Sequence, residues 1–247
     1  MSDKKSRNDI FTADLQEDHP EVQFHDVMKD DFAWHVPVES VPVPSEGRLY
    51  PPSSALHLKN SIDIKAMTAR EEDILSSRAL MQRGESITYL IKSCVMDKKI
   101  DPDEMLVGDR NSLMVAIRIT GYGTDYNVSV DCPECSAKNH KTFNLGDLEI
   151  KRLEIDPVQP GTNLFSYRLP VSKKEVLFQF LTTGAQTNMS LTNDRRKKLF
   201  PDDAVGNTVT SRLESCIVSI DGVKDKNKIA SFIKNMPALD SRRLRNY

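Results

Sequence analysis

At Gly123 the spacing of apolar residues changes from near four to two, and no all-helical or all-strand fold accommodates both halves. Before that point Ile87, Leu90, Ile91, Cys94 and Val95 fall at i, i+3, i+4, i+7 and i+8, one stripe of a helix. After it Tyr126, Val128, Val130 and Cys132 alternate with Asn127, Ser129 and Asp131, as a strand with one covered face would. The expected class is therefore α+β: a helical layer over residues 68–121, a hairpin-rich antiparallel sheet with a CxxC knuckle over about 124–171, and helices from 172 onward closing over them.

Local signals fill in this outline. Residues 61–67 alternate Ile62, Ile64 and Ala66 with polar positions, a half-buried strand. Thr68-Ala69-Arg70-Glu71 is a capping box, in which the Thr hydroxyl and Glu carboxylate satisfy orphan amides at a helix start. It predicts a helix to Gln82, before Gly84. A second helix is expected from Ser86, with Cys94 in its buried stripe as a packing residue. A third is expected from about Asp109, carrying Leu113, Ala116 and Ile117 inward and ending at Gly121-Tyr122-Gly123.

The knuckle Cys132-Pro133-Glu134-Cys135 then turns the chain, and residues 138–145 return, which predicts a hairpin at about 124–146. Strands at 149–155 and 164–171 are expected to continue its sheet. Ser172-Lys173-Lys174-Glu175 reads as another capping box, opening a helix with Val176, Leu177, Phe180 and Leu181 inward. Residues 182–203 read as loop, with the basic cluster Arg195-Arg196-Lys197-Lys198. Val209, Leu213, Cys216, Ile217 and Ile220 predict one helix closed by Asp221-Gly222. Residues 226–235, with Ile229, Phe232 and Ile233 inward, and a short basic helix from Asp240 complete the chain.

Residues 1–40 are expected to form a flexible N-terminal arm, because Ile10, Phe11, Leu15, Val22, Phe24 and Val27 are isolated among polar residues. Phe32 and Trp34, the latter the chain's single Trp, lie where little core is available to cover them. They are read as docking anchors, on a partner or on the chain's own body. Three Val-Pro steps restrict residues 36–52 to extended and turn geometry, a strap into a single domain at 41–247.

Composition excludes several functions. No apolar run approaches the roughly 18 residues that span a bilayer, and the polar start lacks the form of a secretory or transit signal, so the chain is expected in the cytosol. Its 34 basic and 36 acidic residues nearly cancel, which disfavours nucleic acid as a partner. Phosphate-loop, zinc-protease, serine-hydrolase and dinucleotide motifs are missing, and His140 is the one histidine in the body available for acid–base work, so no enzyme is expected. The carboxylates Asp97, Asp101, Asp103, Glu104 and Asp109 lack a calcium-loop pattern and read as caps and turns.

The metal-like signal is Cys132 and Cys135, which a hairpin tip would aim at one point. They supply half of a zinc site, with His140 the nearest further candidate, and the readings of bound zinc, a knuckle without metal and an incidental pair stay open. A zinc-holding hairpin presenting Lys138 and Lys141 to nucleic acid is the alternative function.

Five stretches occur in one order: Pro-Ser-Glu-Gly at 44–47, Ala-Met-Thr-Ala-Arg-Glu-Glu-Asp-Ile-Leu at 66–75, Leu-Val-Gly-Asp-Arg-Asn at 106–111 with Ile-Thr-Gly-Tyr-Gly at 119–123, Val-Asp-Cys-Pro-Glu-Cys at 130–135, and Met-Pro-Ala-Leu-Asp-Ser-Arg-Arg-Leu-Arg at 236–245. Together they resemble the baseplate hub assembly protein family of T-even-type contractile-tailed bacteriophages, over roughly residues 40–247. The resemblance implies a protein made in the host cytoplasm that builds, or joins, the hub of the virion tail baseplate. Its implied partners are other baseplate or tail-tube proteins, with an oligomer inside the hub allowed. It brings no catalytic residue, and a zinc-ribbon-like hairpin matched only at Cys132 and Cys135.

Overall fold

Strand β1 (Val38–Pro42) runs antiparallel to β2 (Ser61–Lys65), with Val41 opposite Ile62. The alternation at 61–65 is real, since Ile62 and Ile64 are buried while Ser61 and Asp63 are exposed and Lys65 is half-buried. The computed structural model describes residues 35–199 and 208–247. The arm anchors Phe32 and Trp34 lie outside them.

The helical layer follows β2. It comprises α1 (Ala69–Ser76), α2 (Arg78–Arg83), α3 (Ser86–Cys94) and α4 (Val107–Tyr122). The helix expected from 69 to 82 is broken at Ser77, whose extended backbone (φ −67°, ψ 107°) caps α2 through its side chain. Leu90, Ile91, Cys94 and Val95 of α3 and Leu113, Ala116 and Ile117 of α4 are buried as their spacing requires. Burial, with the Glu71 charge beside it, pushes the Cys94 thiol up to about 11, as suits a packing residue.

The strands form three separate antiparallel sheets: β1-β2, the hairpin of β3 (Asp125–Asp131) and β4 (Lys138–Asn144), and β5-β6-β7 (Phe165–Arg168, Glu175–Phe178, Ile217–Ile220). Residues 149–155 form no strand; Leu153 N–H donates instead to the Pro44 carbonyl of the strap (3.1 Å). The strand inside 164–171 joins β6, not the knuckle hairpin.

The helix expected from Ser172 is also absent. Lys173 is left-handed (φ 57°), Leu169 N–H donates to Lys174 O (2.9 Å), and the chain turns straight into β6. Val176 and Phe178 are buried at period two there. A run of Val, Leu and Phe is short enough to satisfy either period, and the neighbouring strands decide.

The same competition splits the helix expected at 209–220. It ends at Cys216 as α6 (Thr208–Cys216), and Ile217, Ser219 and Ile220 are buried in β7, paired with β6. Cys216 is half-buried. Residues 183–199, expected as loop, are α5 (Thr183–Leu199), a mostly polar helix whose weak amphipathic pattern leaves little to read. The last two helices, α7 (Lys226–Asn235) and α8 (Ala238–Asn246), follow expectation, with Ile229 and Ile233 buried.

Three buried carboxylates fasten these parts. Glu71 accepts from Thr68 N–H (2.9 Å) and Oγ1 (2.5 Å), Lys65 Nζ (2.7 Å) and Ser93 Oγ (2.6 Å), joining β2, α1 and α3. Asp109 accepts from Ser45 N–H (2.9 Å), Ser45 Oγ (2.7 Å) and the Tyr50 hydroxyl (2.6 Å), which itself accepts from Leu106 N–H (2.9 Å). Asp240 takes Val171 N–H (2.7 Å) and Ser172 N–H (2.9 Å), pinning α8 to the β5–β6 turn. Burial raises the Glu71 carboxyl, but its donors outweigh that and hold it at about 2.

Because the folded value lies below the ordinary 4.5, Glu71's contribution is fully present above pH 4.5 and is lost as the pH falls from there toward 2. Glu71→Gln should destabilise the fold by about 2 kcal/mol at neutral pH. It should also flatten the acid limb of stability against pH, read by denaturant melts from pH 6 to 3.

Candidate interaction hairpin and knuckle

The β3–β4 hairpin leaves the body at the end of α4. Arg118 anchors its base, donating to the carbonyls of Gly123 (3.1 Å) and Asp125 (3.2 Å). The same guanidinium lies 4.8 Å from the Tyr122 ring centroid and 5.9 Å from that of Tyr126. Leu145 N–H closes the base on Thr124 O (2.8 Å).

Beyond the base the strands pair with each other. Tyr126 lies opposite Phe143, Val128 opposite Lys141 and Val130 opposite Asn139, so these six share one face. Ser129, His140, Asn127 and Thr142 share the other, where Thr142 Oγ1 donates to Asn127 Oδ1 (2.6 Å). The apolar face is bare: Tyr126 is 43% exposed, Phe143 52% and Val130 59%. Alternation at 126–132 therefore marks a strand, but not one lying on the chain's own core. An isolated two-stranded hairpin is marginal in water, and one with bare aromatics is built to be covered.

At the tip Cys132 N–H donates to Ala137 O (2.9 Å) and Ser136 N–H to Cys132 O (2.8 Å), with Ser136 left-handed (φ 55°). Backbone N–H groups of Cys135 and Glu134 point at the Cys132 sulfur and, with the Cys135 thiol, hold its thiol below the ordinary value. The pair is thus brought together as the spacing implies. His140 is not brought to it: it sits further down the hairpin, opposite Ser129. Among the described residues no three of His, Cys, Asp and Glu gather closely enough to hold a metal ion. Two thiols do not fit a closed tetrahedral zinc site within one chain.

Of the singled-out carboxylates, Asp97, Asp101, Asp103 and Asp109 have structural partners. Asp97 pairs with Lys59 (2.6 Å), Asp101 Oδ1 accepts from Asp103 N–H (3.1 Å), and Asp103 Oδ1 accepts from Thr88 (3.1 Å). Arg195 and Lys198 of the basic cluster are exposed on α5. A cavity of about 430 Å³ lies between the strap, the start of α4, α5 and α6, lined by residues such as Leu49, Leu106, Leu153 and Met189. Its one lining acid is Asp109, both of whose oxygens are engaged.

This packing accounts for four of the five resembling stretches, all but the exposed knuckle at 130–135. Ser45 meets Asp109; a Cβ on Gly47 (φ 68°) would stand 2.3 Å from Lys59 N and 2.5 Å from Leu56 O. Gly121 faces Met67, whose side chain would lie 3.0 Å from an added Cβ. Glu71 and Asp240 are the other two buried acids. A family model described as T4 bacteriophage base plate protein matches residues 52–242. The chain belongs to that family. No curated protein and no solved structure matches it. In this baseplate protein, among the described residues, no helix is long and apolar enough to cross a membrane.

The bare apolar face is the feature sequence reading missed, since period two does not say whether the covered side is covered by the same chain. Because β3 and β4 pair only with each other among the described strands, amides of the hairpin beyond its base should lose protection in native-state hydrogen exchange well before those of β2 and α4. Cys132→Ser/Cys135→Ser should leave the melting free energy within about 0.5 kcal/mol of the parent chain.

Proposed function

We propose that this baseplate protein is a structural or assembly subunit of the baseplate hub and works by binding other baseplate or tail-tube proteins, without catalysis. The observation that carries the reading is the apolar face of Tyr126, Val130 and Phe143, exposed on a projecting hairpin. Burying two aromatics against a partner is the type of contact that dominates interface energy. The interior argues the same way, because Glu71, Asp109 and Asp240 are each occupied by the fold's own donors.

The N-terminal arm ahead of β1 extends this contact, with Phe32 and Trp34 as anchors on a neighbouring hub subunit; residues 38–40, expected in the arm, belong to β1 instead. A truncation at residue 34 leaves β1 whole, and Val41 keeps its place opposite Ile62. The protein is made in the host cytoplasm and acts at the hub.

Tyr126→Ala/Phe143→Ala should cost about 2 kcal/mol per ring in binding to hub complexes purified from infected cells, with the thermal transition unchanged. Wild-type affinity in the double variant would remove the hairpin face from the interface. Quantitative mass spectrometry of intact particles separates the two roles: a fixed copy number identifies a hub subunit, and presence in lysate alone identifies an assembly factor.

A further inference from the structure

The hairpin has two backbone edges as well as two faces, and its register fixes which groups line them. Cys132 N–H donates to Ala137 O (2.9 Å) and Leu145 N–H to Thr124 O (2.8 Å), at opposite ends of one unbroken register. Bonded pairs alternate along an antiparallel ladder, so Tyr126, Val128 and Val130 bond their backbone groups to Phe143, Lys141 and Asn139. The N–H and C=O groups of Asn127, Ser129 and Asp131 therefore point outward from β3. Those of Lys138, His140 and Thr142 point outward from β4.

The two edges are not equivalent. At the first rung of β3 the Asp125 carbonyl already accepts from Arg118 of α4 (3.2 Å), so a strand running along that edge meets the end of the helix. β4 is exposed from Lys138 to Phe143, and among the described residues no strand pairs with its outer side. Its charges are of one sign: Lys138 and Lys141 lie in a strand without an acid, while β3 carries Asp125 and Asp131 and no cation. Asp131 stands opposite Lys138, so β4 already takes an acidic strand on its inner side. Two β4 edges brought together would gather lysines with no acid between them, which works against pairing of two copies.

We propose that the outer edge of β4 is a docking edge, on which an extended acidic segment of the hub partner adds as a third strand. Backbone bonds to Lys138, His140 and Thr142 hold it, and acids spaced as Lys138 and Lys141 are set its register. The partner side chain opposite Phe143 then lies on the face that Tyr126 and Val130 share, and begins to cover it. A sheet of three strands with a covered apolar face is stable where a bare pair is marginal. This assignment rests on the hairpin being the element that binds the hub, and adds that the partner is gripped by backbone as well as by rings.

The test uses the full chain and hub complexes purified from infected cells, with affinity, thermal melt and residue-resolved hydrogen exchange measured for each variant. His140→Pro removes one outward N–H and no bond of the ladder, a change that edge positions tolerate. It should bind about tenfold more weakly with an unchanged melt, and Lys138→Glu/Lys141→Glu should lose at least as much. Ser129→Pro makes the same change on β3 and should bind as the parent chain does. In the complex the amides of Lys138, His140 and Thr142 should slow, while those of Asn127 and Ser129 keep their free rates. Parent affinity in His140→Pro, or an equal loss in Ser129→Pro, would overturn the proposal. So would amides of His140 and Thr142 already slow in the free chain, because the chain would then cover its own edge. Weak binding by His140→Pro beside parent affinity in Tyr126→Ala/Phe143→Ala would keep the edge and remove the aromatic face. The reverse pattern would keep the face and remove the edge.

Discussion

Asp109 is taken into the interior at 2% exposure, and among the described residues no cation is paired with it. Its charge is held instead by one backbone N–H and two hydroxyls, all from the strap at 45–50, and the Tyr50 hydroxyl passes the connection on to Leu106 N–H. The strap and the start of α4 are thereby locked in one register. Everything downstream inherits that register. Leu106 pairs with Thr182, Val107 N–H donates to Leu181 O, and Thr183 N–H donates to Met105 O, so the first turn of α5 is set against the first turn of α4. The other end of α4 is the base of the hairpin. An unpaired carboxylate here would be very costly, because leaving a buried charge unsatisfied costs far more than its hydrogen bonds contribute when made.

Glu71 and Asp240 repeat the device at two further junctions, β2 to α3 and α8 to the β5–β6 turn. In a chain of small, separate sheets this is a physical necessity. Two- and three-stranded sheets cannot build a continuous hydrogen-bonded frame, so their relative placement depends on apolar packing, which is not directional, and on a few buried acids, which are. All three acids lie within the residues that the baseplate family model matches.

The surface that frame presents is unusual in one respect. Beyond its base the hairpin pairs with itself and leaves Tyr126, Val130 and Phe143 exposed, which is a poor arrangement for an isolated monomer and a good one for a component of a larger assembly. A baseplate is such an assembly.

Sequence alone determined the elements whose signal is local and long. The capping box at Thr68, the stripes of α3, α4 and α7, the alternation at 61–65 and the CxxC turn all carry their geometry within a dozen residues, and all were legible. Tertiary structure alone decided β6 and β7, where four-residue apolar runs fit either period until neighbouring strands pair with them. It also decided α5, which has almost no amphipathic pattern and is set by Met105 and Asp103 at its start. The site divides in the same way. Cys132 and Cys135 were readable because a knuckle is a matter of spacing. The exposure of Tyr126 and Phe143, the distance of His140 and the joining of Ser45 to Asp109 across 64 residues were not, because where a face ends up depends on what the rest of the chain leaves to cover it.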